Sequence, residues 1–183
     1  MILRFPIPRW ARRFAGDTSG LSAVEFALLL PLMLTMYLGG SEVSQAITAS
    51  RKVTLVARAV GDLASQASSI TNASMTNILN ASSAVVAPFP VASLKVTVSQ
   101  VKIDAAGTAT IEWSDTLNGT QHGAGSSVTL PAALKVANTW LIWTETEYRY
   151  VPTFGSGITG TLTLRDQMYM RPRLSNSVAR TAS

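Results

Sequence analysis

A long apolar stretch with almost no charge, close to the N-terminus, constrains this chain more than any other feature. Residues 21–40 read LSAVEFALLLPLMLTMYLGG, and no charged side chain lies between Glu25 and Glu42. Twenty helical residues span about 30 Å, the thickness of the hydrocarbon core of a bilayer. Four arginines precede the stretch, and such positive charge favours the cytoplasmic side. We therefore predict a single-pass membrane helix with a cytoplasmic N-terminus; the alternative is the buried helix of a soluble protein.

Composition removes several classes of function. The chain has no cysteine and a single histidine, His122, so thiolate metal sites, disulfides and a histidine-based zinc site are not expected. The net charge of +5 comes largely from the N-terminal arm, because the rest of the chain balances 11 basic against nine acidic side chains. No basic face with interleaved aromatic residues is visible. We expect no metal, no cofactor and no nucleic-acid partner.

Glu25 is the anomaly of the apolar stretch. A carboxylate in the centre of a membrane helix costs about 2.5–3.5 kcal/mol on insertion scales, and such residues are usually functional or paired with a cation. The sequence offers no lysine or arginine close after it. Cleavage after Gly20 would create an α-ammonium group at Leu21, one helical turn before Glu25. The two groups could then approach each other within one chain or between neighbouring chains.

These residues resemble a known family. Residues 20–26 (GLSAVEF), after a basic leader and before an apolar helix, resemble the class III signal of type IV prepilins. The longer string GLSAVEFALLLP is similar to TadE-like pilins of the Tad (tight adherence) apparatus. Residues 148–150 (YRY) and 170–173 (MRPR), in a C-terminal strand pair, loosely resemble the same family.

The resemblance implies a function for several residues. A membrane prepilin peptidase would cut between Gly20 and Leu21, and Glu25, followed by Phe26, would set the register of an incoming subunit against its neighbour. Pro31 lacks an N–H group and would kink or loosen the helix. The implied partners are the peptidase, other pilin subunits, Tad membrane assembly proteins and the lipid bilayer. The implied location is the bacterial inner membrane, with the C-terminal domain in the periplasm, or an extracellular pilus after assembly.

The remaining sequence predicts an α+β fold, in which a long N-terminal helix packs on an antiparallel sheet of about four strands. Apolar residues three or four apart continue the helix beyond the membrane, including Ile47 and Leu63. Alternating residues from position 93 onward predict a hairpin with a bulge and then two further strands, arranged as a meander. The predicted divisions are a leader (1–20), a membrane helix (21–41), a periplasmic helix with a Ser/Thr/Asn-rich linker (42–92), a sheet domain (93–173) and a flexible tail (174–183).

Two groups of residues allow an enzymatic hypothesis. Glu145 and Glu147 share one face of a predicted strand about 7 Å apart, a spacing compatible with acid–base chemistry. We favour ion pairs between them and Arg149 or Arg165 on a polar sheet face. His122 lies in a glycine-rich loop, where we expect a solvated side chain without a partner. No nucleophile elbow, phosphate loop or dinucleotide fingerprint appears, so an enzyme is not expected.

Three interpretations of the whole chain follow. The favoured one is a minor pilin or pseudopilin of a Tad-type pilus that contributes to assembly and surface adherence. The second is an exported enzyme or ligand-binding domain with an uncleaved anchor or an ordinary signal, cut before Ser41. The third is a pseudopilin of a type II secretion system, which shares the same signal.

Overall fold

The first helix extends from the apolar N-terminal stretch into the folded domain. The structure is a computed structural model that describes residues 19–154, 156 and 160–181, so most of the predicted leader lies outside the described residues. Helix α1 runs without interruption over Ser19–Ser65, 47 residues and about 70 Å. Residues 20–37 are all exposed. The prediction of a long helix whose first half is free of the domain is confirmed.

The second half of α1 packs on the sheet through one narrow stripe. The buried positions are spaced three or four residues apart, as an amphipathic helix requires: Ala49, Val53, Val56, Val60 and Ala64. Ile47 and Leu63 were expected on this face, but they are 50% and 42% exposed. The buried stripe includes alanines, whose small side chains bring the backbone of α1 close to the sheet.

Four antiparallel strands form the sheet, which confirms the predicted α+β class. They are β2 (Leu94–Ile103), β3 (Ala109–Leu117), β4 (Thr139–Tyr150) and β5 (Leu162–Met170). Their order is β3-β2-β4-β5. The predicted meander is therefore wrong, because β4 pairs with the free edge of β2 instead of continuing from β3.

Strand β2 changes its buried face halfway along, although it pairs with β4 without a shift of register. Leu94, Val96 and Val98 lie in the apolar cluster under α1. Val101 and Ile103 lie in a second cluster, which the loop before β4 helps to cover. The change of parity seen in the sequence therefore reflects a sheet that is buried on both faces, each over part of its length.

The predicted bulge is present, but on the partner strand. Gln100 pairs with Trp113 and Val101 pairs with Ile111, so the extra residue is Glu112 of β3. The bulge turns the side chains of β3 so that Trp113 joins the cluster under α1 while Ile111 joins the opposite one. Both neighbouring strands thus exchange faces at the same level.

A second helix and a two-stranded parallel pairing complete the domain. Helix α2 (Asn72–Val86) begins after Thr71, whose hydroxyl accepts a hydrogen bond from the backbone N–H of Ser74. The short strand β1 (Ser69–Ile70) pairs with β6 (Ala179–Arg180). Met75, Leu79 and Val86 of α2, together with Ile70 of β1, belong to the same buried cluster as the stripe of α1.

Residues 174–181, which the structure describes, do not form the flexible tail predicted over residues 174–183. Val178 is fully buried, and its carbonyl accepts a hydrogen bond from the Trp113 indole at 2.8 Å. The Val178 N–H donates to the Gln100 side chain at 2.6 Å. Arg180 pairs with Asp115 at 2.8 Å. Polar contacts hold this segment in place. Such contacts do not produce a periodic apolar pattern, so the sequence alone did not reveal them.

Candidate functional site

The predicted cleavage site lies at the start of α1 and is open to solvent. Gly20 is in the first turn of the helix, and a Cβ atom added to it would meet no atom within 4 Å. Leu21 is 61% exposed. The folded domain therefore does not cover the peptide bond between these residues.

Glu25 and Phe26 follow one turn later on the same exposed part of the helix. Phe26 is 59% exposed, and Glu25 is exposed as well. Within the described residues, Glu25 makes no hydrogen bond or ion pair. Among the described residues, its carboxylate is therefore left without a partner.

Pro31 lies inside α1, which continues through it. The proline ring removes the N–H that would bond the carbonyl of Ala27. Four residues later the Thr35 hydroxyl donates to the Pro31 carbonyl at 2.7 Å. The predicted kink stays a prediction; the loss of one helical hydrogen bond follows from the residue itself.

Helix α1 is long and apolar enough to cross a membrane. It is the only such helix among the residues that the structure describes, and its apolar window has none of its residues buried. A soluble core helix with this composition would be covered by the protein. The exposed apolar surface indicates a membrane anchor.

Glu42 ends the uncharged stretch and ties α1 to the sheet domain. It is only 9% exposed. One carboxylate oxygen accepts a hydrogen bond from the Tyr150 hydroxyl at 3.2 Å, and the other accepts from the Phe154 backbone N–H at 2.7 Å. Burial raises the pKa of Tyr150, and the negative charge of Glu42 adds to the rise. One signal for this contact is visible in the sequence, where Glu42 is the only acid between Phe26 and Gly61.

The face of the sheet opposite α1 holds an aromatic stack that sequence reasoning missed. The His122 ring lies 4.9 Å from that of Trp143 and nearly parallel to it, and Trp143 stacks in turn on Tyr169 at 6.0 Å. His122 Nε2 is 2.5 Å from a carboxylate oxygen of Glu145. The prediction of an unpartnered loop histidine is wrong, because the loop after β3 folds back and pairs Ser127 with Thr110.

The second carboxylate of this face forms one predicted cross-strand ion pair, with Arg165, and one that was not predicted, with Lys95. Glu147 accepts from Lys95 at 3.0 Å and from Arg165 at 2.8 Å. Hydrogen bonds from these two cations lower the pKa of Glu147. Both glutamates lie along a surface groove of about 600 Å³. Each is held by neighbouring side chains, so neither stands as a free acid or base.

The described residues offer no metal centre. No group of three or more histidine, aspartate or glutamate side chains is placed to hold a metal ion in this part of the chain. The arrangement on the sheet face is a set of ion pairs and stacked rings.

Comparison with known proteins bears on the N-terminal region. The family model described as TadE-like protein matches residues 20–62. This segment is TadE-like. No curated protein and no solved structure matches the chain.

The TadE-like match has clear limits within the fold. It contains Gly20, Leu21, Glu25, Phe26 and Pro31, and it continues along α1 until just before the helix ends. It includes none of the four-stranded sheet. The match confirms the resemblance that residues 20–26 and the apolar helix after them carry, whereas residues 148–150 and 170–173 lie outside it.

Proposed function

We propose that this protein is a structural minor pilin or pseudopilin of a Tad-type pilus. One observation carries the proposal: the TadE-like segment starts at Gly20 and contains the whole exposed, apolar first half of α1 after it. The precursor sits in the inner membrane with its N-terminus in the cytoplasm and its sheet domain in the periplasm. A prepilin peptidase cleaves it between Gly20 and Leu21.

Cleavage changes the electrostatics at the start of α1. The new N-terminus carries a positive ammonium group, which the positive end of the helix dipole disfavours. Glu25 of the same chain or of a neighbour supplies the opposite charge. Its lack of a partner among the described residues supports an intermolecular role. Pairing with a neighbour's ammonium group sets the axial register between subunits.

Assembly then depends on lateral packing of apolar helices. The first half of α1 exposes large apolar side chains along its length, such as Leu28, Met33 and Met36. Other pilin subunits cover this surface when the helix leaves the bilayer, while Tad membrane proteins guide the transfer. The sheet domain remains outside the helical bundle and contributes contacts to surface adherence.

N-terminal mass spectrometry of the protein extracted from its native membrane tests the proposal. We expect the mature chain to begin at Leu21. A chain that begins at Ser41 or at Met1 contradicts the proposal and favours an exported domain with an ordinary signal or an uncleaved anchor. Cross-linking followed by identification of partners separates a Tad pilus from a type II secretion system.

Two substitutions separate processing from assembly. Gly20→Ala should slow cleavage, because the peptidase accepts glycine before the cut. Glu25→Ala should leave cleavage largely intact and reduce incorporation into pili. Ser22→Ala, in the same exposed turn, is the matched control and should do neither. Normal incorporation of the Glu25 variant would exclude the register role.

A further inference from the structure

The loop after β4 places apolar side chains on the surface beside the membrane-spanning part of α1. Val151, Phe154 and Leu162 are 59%, 63% and 38% exposed. We call these three residues the loop patch. Large side chains of this kind on a water-facing surface lose the benefit of burial, so a cluster of them indicates a contact.

The structure fixes the height of the loop patch along α1. An apolar cavity of about 380 Å³ lies between the helix and the loop. Its helix side extends from Thr35 to Ala46, and Phe154 and Leu162 lie on the other side. The backbone N–H of Phe154 donates a hydrogen bond to the Glu42 carboxylate at 2.7 Å. Phe154 and Leu162 therefore lie beside the turns in which the apolar stretch ends, and Val151 follows Tyr150, which lines the same cavity.

Those turns belong to the membrane boundary. A helix that enters the hydrocarbon core at Leu21 leaves it about 30 Å later, near Gly40. The headgroup region beyond adds several ångströms. A loop that is bonded to Glu42 and shares a cavity with Leu38 is therefore at about the depth of the lipid headgroups.

The charge pattern agrees with this position. No charged residue occurs from position 150 to position 164, whereas Arg149 and Arg165 stand directly outside this range. On the helix, the only charge at this height is Glu42, and it is buried against the loop. A segment that enters the lipid interface has to be free of unpaired charge.

We propose that the loop patch inserts into the boundary between headgroups and acyl chains of the leaflet from which α1 emerges. The occupant of the surface is lipid, in continuity with the lipid around the helix itself. This contact gives the sheet domain a second attachment to the membrane and holds it in one orientation. It does not depend on cleavage or on pilus assembly, only on the anchor.

The absence of cysteine makes a direct test possible. Single-cysteine variants Phe154→Cys and Val151→Cys of the full chain are labelled with an environment-sensitive fluorophore and placed in lipid nanodiscs, one copy per disc. Both side chains are exposed, so these variants keep the core intact. Tyr37→Cys, on the apolar stretch and 74% exposed, is the reference for lipid contact.

Leu174→Cys is the matched control for an exposed apolar side chain in water. It is 72% exposed and lies beyond Met170. Met170 is the opposite end of β5, roughly 26 Å along the strand from Leu162. We expect the probes at 154 and 151 to show blue-shifted emission and quenching by nitroxide-labelled lipids close to the values at 37. The probe at 174 should show neither.

Two outcomes would overturn the proposal. The first is emission and quenching at 154 and 151 equal to those at 174, which would place the loop in water. The second is protection that appears only when several copies share a disc, which would assign the patch to a second copy of this chain. Neither outcome affects cleavage after Gly20, so failure here is distinct from failure of the proposed pilin function.

Discussion

Gly61 offers the sharpest test of how α1 packs on the sheet. A glycine inside a helix usually weakens it, and replacement by alanine stabilises by about 1 kcal/mol. Here the glycine faces β4, where a Cβ atom would lie 2.9 Å from Thr144 Oγ1. Thr144 is fully buried and has a stiff, β-branched side chain. Helix propensity and packing therefore act in opposite directions at this position.

The magnitude follows from the two effects. Overpacking a close contact costs about 1–3 kcal/mol, against the gain of about 1 kcal/mol from propensity. Gly61→Ala should therefore lower the free energy of unfolding by up to about 2 kcal/mol. In a Thr144→Ala background the Oγ1 atom is gone, and the same substitution should raise the free energy of unfolding by about 1 kcal/mol. Thr144→Val keeps a branched γ atom and should retain the loss.

Denaturant unfolding of the full chain in detergent micelles measures these changes. Tryptophan fluorescence reports on the sheet domain through Trp113 and Trp143, which are both 9% exposed. The decisive result is a change of sign for Gly61→Ala between the wild-type background and the Thr144→Ala background. Equal stabilisation in all three backgrounds would refute the close packing of α1 on β4.

Two other predictions concern the sheet domain. Lys95 and Arg165 lower the pKa of Glu147, so the ion pairs of Glu147 add to the free energy of unfolding above the usual glutamate pKa of 4.5. This addition is lost as the pH falls through the lowered pKa. Glu147→Gln should remove this part of the pH dependence in unfolding experiments. Because Lys95 and Arg165 are exposed, the change in the free energy of unfolding should be only about 0.2–1 kcal/mol, and added salt should reduce it further. Deletion of residues 178–183 should lower the unfolding midpoint markedly, since the loss of Val178 burial alone costs about 1.5–3 kcal/mol and leaves the Trp113 indole unpaired. An unchanged midpoint would contradict the structural role of the chain end.

The main elements could be predicted because the apolar residues within each one recur at a regular spacing. The apolar stretch and the residues that follow it repeat at the helical period, and the alternation from Leu94 to Val98 shows a half-buried strand. The change of parity at Val101 was also visible. Its cause was not, because one sequence cannot say whether a strand bulges or whether both faces of the sheet are covered.

Sequence analysis missed contacts between isolated pairs of residues that lie far apart in the chain. His122 meets Glu145 across 23 residues, and the carbonyl of Val178 meets Trp113 across 65. A lone polar contact of this kind leaves no periodic signal, and the loop that carries His122 has the glycine content of a mobile segment. The order β3-β2-β4-β5 was missed for a related reason: either edge of the hairpin could accept β4.

The two acids that bound the uncharged stretch show why the proposed function depends on more than the sequence. Glu25 and Glu42 are 17 residues apart, about 26 Å along a helix, so a membrane-spanning α1 would place them near opposite surfaces of the bilayer. Both look alike in the sequence, since each is an isolated carboxylate at the edge of apolar residues. The folded chain satisfies Glu42 with two hydrogen bonds from its own loop, whereas Glu25 has no partner among the described residues. A carboxylate without a partner in an apolar membrane helix is costly to keep, and the proposed pairing of Glu25 with the ammonium group of another subunit would remove that cost.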